Sequence, residues 1–165
     1  MKIKLHNYLL LRWGFVAYVV LLFYILVFKS FNIYELQDKI NYVKCSREVG
    51  AYNYNIVPLR TIIDQFEHMT DLWALENLVG NIVCFLPFGI GLPLVTNGKK
   101  LVIVIVTGML FSVVIELTQF FLCTGSADID DIILNVVGCM IGYMINKYLS
   151  YGIVTYLNFG KKQKY

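Results

Sequence analysis

The stretch IELTQFFLCTGSADIDDIILNVVGCMIG, residues 115–142, decides the fold of this chain. It begins inside one apolar segment, turns through a short acidic loop and enters a second apolar segment. Glu116 and Gln119 lie among apolar neighbours, and three further acids crowd the turn: Asp128, Asp130 and Asp131. Ionisable residues are costly inside a membrane, so a hairpin that served only to span the bilayer would not need them. We therefore predict that these polar residues converge at one membrane face and form a working site.

Composition places the whole chain in a lipid bilayer. Of its 165 residues 58% are hydrophobic and only 15% are charged, with a mean hydropathy of +0.65. A soluble core of this size could not bury so much apolar surface. The length suits one domain, 1–165. No basic run is interleaved with stacking aromatics on a polar face, which argues against a nucleic-acid partner.

Apolar runs of membrane-spanning length predict an all-α bundle of about four transmembrane helices. The predicted spans are about 8–28, 77–95, 101–122 and 129–149. The connection between the first two spans contains an amphipathic or re-entrant segment, since the apolar residues of 62–76 can share one helical face. Prolines and glycines predict a kink or break in the second half of the second span: Pro87, Gly89, Gly91 and Pro93.

The distribution of basic residues predicts the orientation in the membrane. Nine of the fourteen Lys and Arg residues lie at the two ends and in the middle turn: Lys2, Lys4, Arg12, Lys99, Lys100, Lys147, Lys161, Lys162 and Lys164. By the positive-inside rule, both termini are then cytoplasmic. The acidic turn at 128–131 consequently faces outward.

Glu116 is the sharpest single signal for a site. Ser112, Glu116 and Gln119 recur at the spacing of one helical face, which must point into the bundle. The alternative is a single interhelical hydrogen bond that fixes packing.

The acidic turn has a structural and a functional interpretation. Asp128 can act as a helix N-cap, and Asp131 adds negative charge to the first turn, where the helix dipole favours it. Three acids in four residues also repel one another, which a divalent cation would relieve, so Asp128, Asp130 and Asp131 are the candidate metal ligands. No other cofactor is predicted.

Two asparagines and two glycines complete the candidate set. Asn135 lies one turn after Asp131, and Asn81 lies in the second span; either could serve the site or only join helices. Gly138 and Gly142 form a small-xxx-small pair, which favours close helix packing.

Three blocks of this sequence resemble the VanZ-like family. They are NIVPLRTI at 55–62, NIVCFLPFGIGLP at 81–93 and IELTQFFLCTGSADIDDIILNVVGCMIGY at 115–143, so the resemblance covers about 55–145. The last block, with E-x-x-Q, D-x-D-D and N-x-x-G in order, is the most specific. The resemblance carries over a pattern of positions: Asn81, Pro87, Gly89, Glu116, Gln119, Asp128, Asp130, Asp131, Asn135 and Gly138.

The resemblance implies a multi-pass protein of the bacterial cell membrane. The founding type of the family is associated with resistance to the glycopeptide antibiotic teicoplanin. The resemblance implies lower susceptibility to teicoplanin-like drugs without remodelling of the cell-wall precursor terminus. Together with the outward acidic site it motivates our first hypothesis, a non-enzymatic protein that alters how a glycopeptide meets the cell surface. The expected partners are membrane lipid and a glycopeptide or a cell-wall lipid precursor. The alternatives are a metal-assisted envelope enzyme acting on a lipid-linked or cell-wall substrate, and an assembly partner that docks another membrane protein on its glycine face. The sequence does not predict an oligomeric state.

Overall fold

The computed structural model describes residues 5–28, 33–96 and 100–162, with side chains from 8 to 151 within those ranges. These ranges hold six helices: α1 Leu5–Phe28, α2 Ile33–Glu48, α3 Arg60–Glu67, α4 Leu72–Val95, α5 Leu101–Leu122 and α6 Ile129–Lys162. Two short strands, β1 Tyr54–Asn55 and β2 Ala127–Asp128, pair in parallel. Four helices are long and apolar enough to cross a membrane: α1, α4, α5 and α6. The predicted helical bundle with about four apolar spans is confirmed.

The apolar core lies where α1, α4, α5 and α6 meet. Phe85 and Val104 are fully buried, and Phe88 stacks on Phe111 with ring centroids 5.6 Å apart. Many other large apolar side chains on the same helices are exposed, among them Val102 at 67% and Phe121 at 73%. Apolar residues all round a helix of this length are typical of a helix whose outer face meets lipid.

Of the predicted kink or break in α4, the break is wrong, because the helix runs without interruption through Pro87 and Pro93. A proline removes a backbone donor and disturbs the carbonyls of the preceding turn. The carbonyl three residues before each proline accepts a hydrogen bond from another helix. The Tyr18 hydroxyl donates to the Cys84 carbonyl at 2.6 Å, and the Asn146 amide donates to the Ile90 carbonyl at 2.8 Å. Neighbouring helices therefore provide the bonding that keeps α4 continuous.

Glycines set the contact between α4 and α6. A Cβ added to Gly138 would clash with the Ile82 carbonyl, and one added to Gly142 would clash with the Leu86 carbonyl. Gly89 on α4 meets the Cys139 carbonyl in the same way. The backbones therefore approach as closely as in small-xxx-small helix pairs. This contact covers the glycine face of α6 within the chain, so the expectation that this face docks another membrane protein is wrong.

The first connection is more structured than its sequence predicts. Residues 33–48 form α2, which we did not predict as a helix. The predicted amphipathic segment is present as a helix, but its bounds differ from 62–76, since α3 ends at Glu67 and α4 begins at Leu72. Trp73 therefore belongs to α4, one of the four helices long and apolar enough to cross a membrane. The remaining amphipathic unit is the eight-residue α3, which lies between β1 and the start of α4.

Candidate functional site

The two short strands bring the first connection against the acidic turn. In the parallel pair Tyr54 lies opposite Ala127, and Asn55 lies opposite Asp128. The Ala127 amide also donates to the Asn53 carbonyl at 3.2 Å. Residues more than 70 positions apart thus meet at the end of the bundle where α6 begins.

Asp128 links three segments of the chain. Its Oδ1 accepts hydrogen bonds from the Asn55 amide at 2.9 Å and from the Asp130 backbone at 2.8 Å. Its Oδ2 accepts the Thr61 hydroxyl at 2.6 Å. The bond from the Asp130 backbone reaches the second residue of α6, which is N-cap geometry. The predicted capping role of Asp128 is therefore confirmed, and the same carboxylate also holds the first connection.

Asp130 is fully buried and holds the start of α3. Its Oδ1 accepts the Leu59 backbone N–H at 2.6 Å, and its Oδ2 accepts those of Thr61 at 2.7 Å and Ile62 at 3.2 Å. The first N–H groups of a helix have no partner within the helix and favour negative charge. Asp130 supplies that charge from a distant part of the sequence.

The turn that enters α3 has a strained residue at its centre. Leu59 has φ 67° and ψ −1°, and the Arg60 backbone donates to the Val57 carbonyl. This is the third position of a type II turn, which glycine usually occupies. A leucine there is strained, and its N–H bond to Asp130 helps to hold that conformation.

Asp131 points away from the other two aspartates and towards α4. Its Oδ1 accepts the Asn81 amide at 2.8 Å and the Asn77 amide at 3.2 Å. These asparagines lie one helical turn apart on α4 and bond to each other at 3.3 Å. Asn81, predicted as a site candidate, is thus brought to Asp131.

Glu116 on α5 completes the acidic cluster, which consists of Glu116, Asp128, Asp130 and Asp131. Glu116 Oε2 accepts the Asp128 backbone N–H at 2.9 Å. One turn earlier, Ser112 Oγ accepts the Asn135 amide at 2.8 Å. Gln119 donates to the Leu26 carbonyl of α1 at 2.8 Å. Ser112, Glu116 and Gln119 are at most 4% exposed, which confirms that their shared face points into the bundle.

Several buried oxygens around the carboxylates accept no hydrogen bond. They are Gln65 Oε1, Gln119 Oε1, Thr124 Oγ1 and Asn135 Oδ1. Buried polar atoms in proteins normally have a partner, so this region has unused acceptor capacity. The acceptors are distributed over α3, α5, α6 and the turn before β2, not gathered at one point in the sequence.

The three aspartates do not form the candidate cation site. Their carboxylates diverge: Asp128 contacts the first connection, Asp130 the start of α3 and Asp131 the asparagines of α4. Within the described ranges no group of three or more His, Cys, Asp or Glu side chains could hold a metal ion. The acidic site predicted from the sequence is also not exposed, because these aspartates are at most 7% exposed.

A second contact that the sequence did not suggest fastens the same connection. Arg47 of α2 donates to the Asn53 side-chain oxygen at 3.2 and 3.0 Å and to the Phe120 carbonyl at 2.6 Å. Its guanidinium lies 4.2 Å from the centre of the Phe120 ring. The Asn53 amide in turn donates to the Gly125 carbonyl. Arg47 thus joins α2, the connection and the end of α5.

Sequence reasoning missed Asn53, Asn55 and Thr61 as partners of the acids. The only signal was the block NIVPLRTI, which contains Asn55 and Thr61 and which we used only for its resemblance. Asn is common in turns and Thr forms similar turn hydrogen bonds more weakly, so their presence on either side of Pro58 indicated nothing more.

No curated protein and no solved structure matches the chain. The family described as VanZ/LLP1 matches residues 15–150, which extends beyond the predicted core of 55–145 and takes in most of α1. The matched range contains every carboxylate, amide and glycine described above. The chain belongs to the VanZ/LLP1 family.

Proposed function

We propose that this protein lowers susceptibility to acylated glycopeptides such as teicoplanin by altering how the drug meets the cell surface. Such drugs combine a peptide core with an acyl tail that sits in the membrane. The observation that carries the proposal is an exposed apolar surface on the first connection, which hydrogen bonds attach to the acidic end of the bundle. The VanZ/LLP1 membership supports it, because the founding type is associated with teicoplanin resistance.

The apolar surface centres on α3. Ile63 and Phe66 are 55% and 57% exposed, and Met69 just beyond the helix is 45% exposed. On the other side of α3, Gln65 is buried against the bundle. A short amphipathic helix whose apolar face points away from the bundle suits an element that lies in the membrane interface with that face towards lipid. It would meet an acyl tail at the depth where that tail enters the bilayer.

The acidic cluster acts through this surface in our proposal. Its carboxylates are buried and engaged by neutral donors, so they do not offer a charged pocket to a drug. Asp128 and Asp130 instead fix the position of α3, and Asp131 fixes α4 beneath it. Replacing these aspartates would free α3 from the bundle while leaving the exposed apolar residues of α3 unchanged.

The proposed location is the bacterial cell membrane, with both termini cytoplasmic and α2, α3 and the acidic end outside. The basic residues near both ends of the sequence and between α4 and α5 support it. Cys45 on α2 is exposed, whereas Cys123 and Cys139 are buried. A membrane-impermeant maleimide added to intact cells should therefore label Cys45 and should not label a Cys45→Ser variant. Labelling of Cys45 only after the cells are lysed would place α2 in the cytoplasm and contradict the proposed orientation.

The function is tested by drug susceptibility in a sensitive bacterial host. Expression should raise the inhibitory concentration of teicoplanin more than that of a glycopeptide without an acyl tail. The double change Ile63→Ser and Phe66→Ser should abolish the increase at unchanged membrane abundance. The matched control is Ile33→Ser with Tyr42→Ser, two exposed apolar residues on α2. An unchanged inhibitory concentration on expression of the native protein, with the protein confirmed in the membrane, would refute the proposal.

A further inference from the structure

A groove runs between α1 and α4 at the end of the bundle remote from the acidic cluster. Its volume is about 460 Å³, and its walls include Leu11, Phe15, Pro87, Leu94 and Val95. This volume lies within the range of roughly 300–1,000 Å³ that is usual for small-molecule sites. The acidic cluster and α3 do not contribute to the groove, so it is separate from the site described above.

Two glycines shape the walls of this groove. A Cβ on Gly14 would meet nothing within 4 Å, so the space above this residue is open. A Cβ on Gly91 would lie 2.6 Å from the Phe15 ring, so its missing side chain lets Phe15 lie against α4. The Tyr18 hydroxyl is bound to the Cys84 carbonyl. The lining is therefore apolar, and its polar wall group already has a partner.

The position of the groove between two long apolar helices indicates that it opens towards lipid. Both walls belong to helices that are long and apolar enough to span a membrane. Leu10, Leu11 and Leu94 on its rim are 43–59% exposed, so the groove opens sideways between the helices. Lipid tails are as apolar as the groove, so burial alone gives little preference for a lipid. Preference must come from shape and from the headgroup.

The end of the groove is basic. The Tyr8 hydroxyl donates to the Val95 carbonyl at 3.0 Å, which joins the start of α1 to the end of α4. The Arg12 guanidinium lies 5.1 Å from the centre of the Tyr8 ring, and exposed Lys100 follows Val95 by five residues. The sequence has no Asp or Glu in 1–34, 77–115 or 132–165, the parts that make this end of α1, α4, α5 and α6. The charge therefore complements an anionic headgroup.

We propose that the groove between α1 and α4 binds one acyl chain of an anionic phospholipid, with its phosphate at Arg12 and Lys100. The open space over Gly14 accepts the chain, and the Tyr8–Val95 contact marks the depth at which the headgroup begins. The site would tie α1 to the bundle from the side opposite the acidic cluster. This proposal does not depend on the drug-related function or on the side of the membrane that the basic end faces.

The test uses the full chain in bilayers that contain a phosphatidylglycerol with a photoreactive acyl chain, or the matched phosphatidylcholine. After illumination, mass spectrometry locates the labelled residues. Phosphatidylglycerol should label 10–18 and 87–95 well above the rest of the lipid-facing surface, and phosphatidylcholine should not. Neutralising Arg12 or Lys100 with Gln should lower the preference for phosphatidylglycerol by about fivefold each, the equivalent of roughly 1 kcal/mol for a basic residue near an anionic surface.

Gly14→Leu places its side chain in the open space over this residue, where a Cβ meets nothing within 4 Å, and should remove the enhanced labelling of both segments. Its matched control is Gly80→Leu on α4, where a Cβ also meets nothing within 4 Å and which does not line the groove. Equal labelling around the bundle, or full labelling in Gly14→Leu, would overturn the proposal. If neither lipid labelled the groove and two copies of the Gly14→Cys variant formed a disulfide, the groove would be assigned to a second copy of the chain. That result would also overturn the proposal.

Discussion

Replacing Asp130 by asparagine should detach α3 from the bundle while leaving the four spans in place. The change keeps the shape of the side chain and removes its charge. In the native protein the carboxylate accepts three backbone N–H groups, from Leu59, Thr61 and Ile62. An asparagine turns an NH₂ group towards at least one of these donors, so at least one bond is replaced by a contact between two donors.

The size of the effect follows from these bonds. A hydrogen bond to a charged group contributes roughly 1.5–3 kcal/mol, and a buried donor left without a partner is costly. Loss of charge weakens all three bonds and loss of an acceptor removes one or two, so we expect a cost of about 3 kcal/mol. Relaxation of Leu59 out of its left-handed conformation adds to the tendency to open. A cost of this size raises the equilibrium for local opening by more than about 100-fold.

Hydrogen exchange measured by mass spectrometry reports this opening directly. The amides of 59–62 should exchange more than about 100-fold faster in Asp130→Asn, while those of α5 and α6 beyond the first turn stay protected. Asp71→Asn is the matched control, because Asp71 occupies the N-cap position of α4 without a side-chain capping bond. Unchanged exchange at 59–62 in Asp130→Asn would refute the view that this carboxylate holds α3.

Three further predictions concern packing and titration. Tyr18→Phe and Asn146→Leu each remove a bond to a carbonyl beside a proline of α4, and each should lower the free energy of unfolding in detergent by about 0.6 kcal/mol, with about 1.7 kcal/mol as the upper end. Gly138→Ala should lower it by about 1–3 kcal/mol, because its Cβ would meet the Ile82 carbonyl, whereas Gly80→Ala should not lower it. The hydrogen bond to the Asp64 carbonyl raises the pKa of His68 above its ordinary 6.5, so NMR should show the ring titrating above that value. Because the pKa of His68 is higher in the folded state, its protonated form stabilises the end of α3 at a pH below the ordinary pKa. This contribution is lost as the pH rises through the raised folded-state pKa.

The membrane spans could be predicted because their signal is local and strong. Twenty or so consecutive apolar residues have few alternatives to a spanning helix. The N-cap role of Asp128 was equally local, since the residue lies immediately before the apolar run of α6. The inward face of Ser112, Glu116 and Gln119 followed from helical spacing together with the cost of exposing a carboxylate to lipid.

The errors arose where the answer depended on distant residues. Pro87 and Pro93 predict a kink or break on local grounds, whereas the hydrogen bonds that support a continuous α4 come from Tyr18 and Asn146 on other helices. The candidate metal site failed for a similar reason. Crowded aspartates suggest a shared ligand, but each carboxylate has its own donors from another segment, and the turn itself does not indicate them.

The chemistry of these donors bears on the role of the cluster. Asp128 and Asp130 accept hydrogen bonds from backbone, amide and hydroxyl groups, all of them neutral. A salt bridge to one mobile Lys or Arg would attach the segment 55–62 at a single point. Several directional hydrogen bonds donated by residues of that segment fix both its position and its orientation. Because Asp130 binds N–H groups that a helix leaves free, it holds α3 only while α3 is helical. The cluster therefore couples the folding of α3 to its docking, and the apolar surface proposed to meet the drug exists in its present form only when both have occurred.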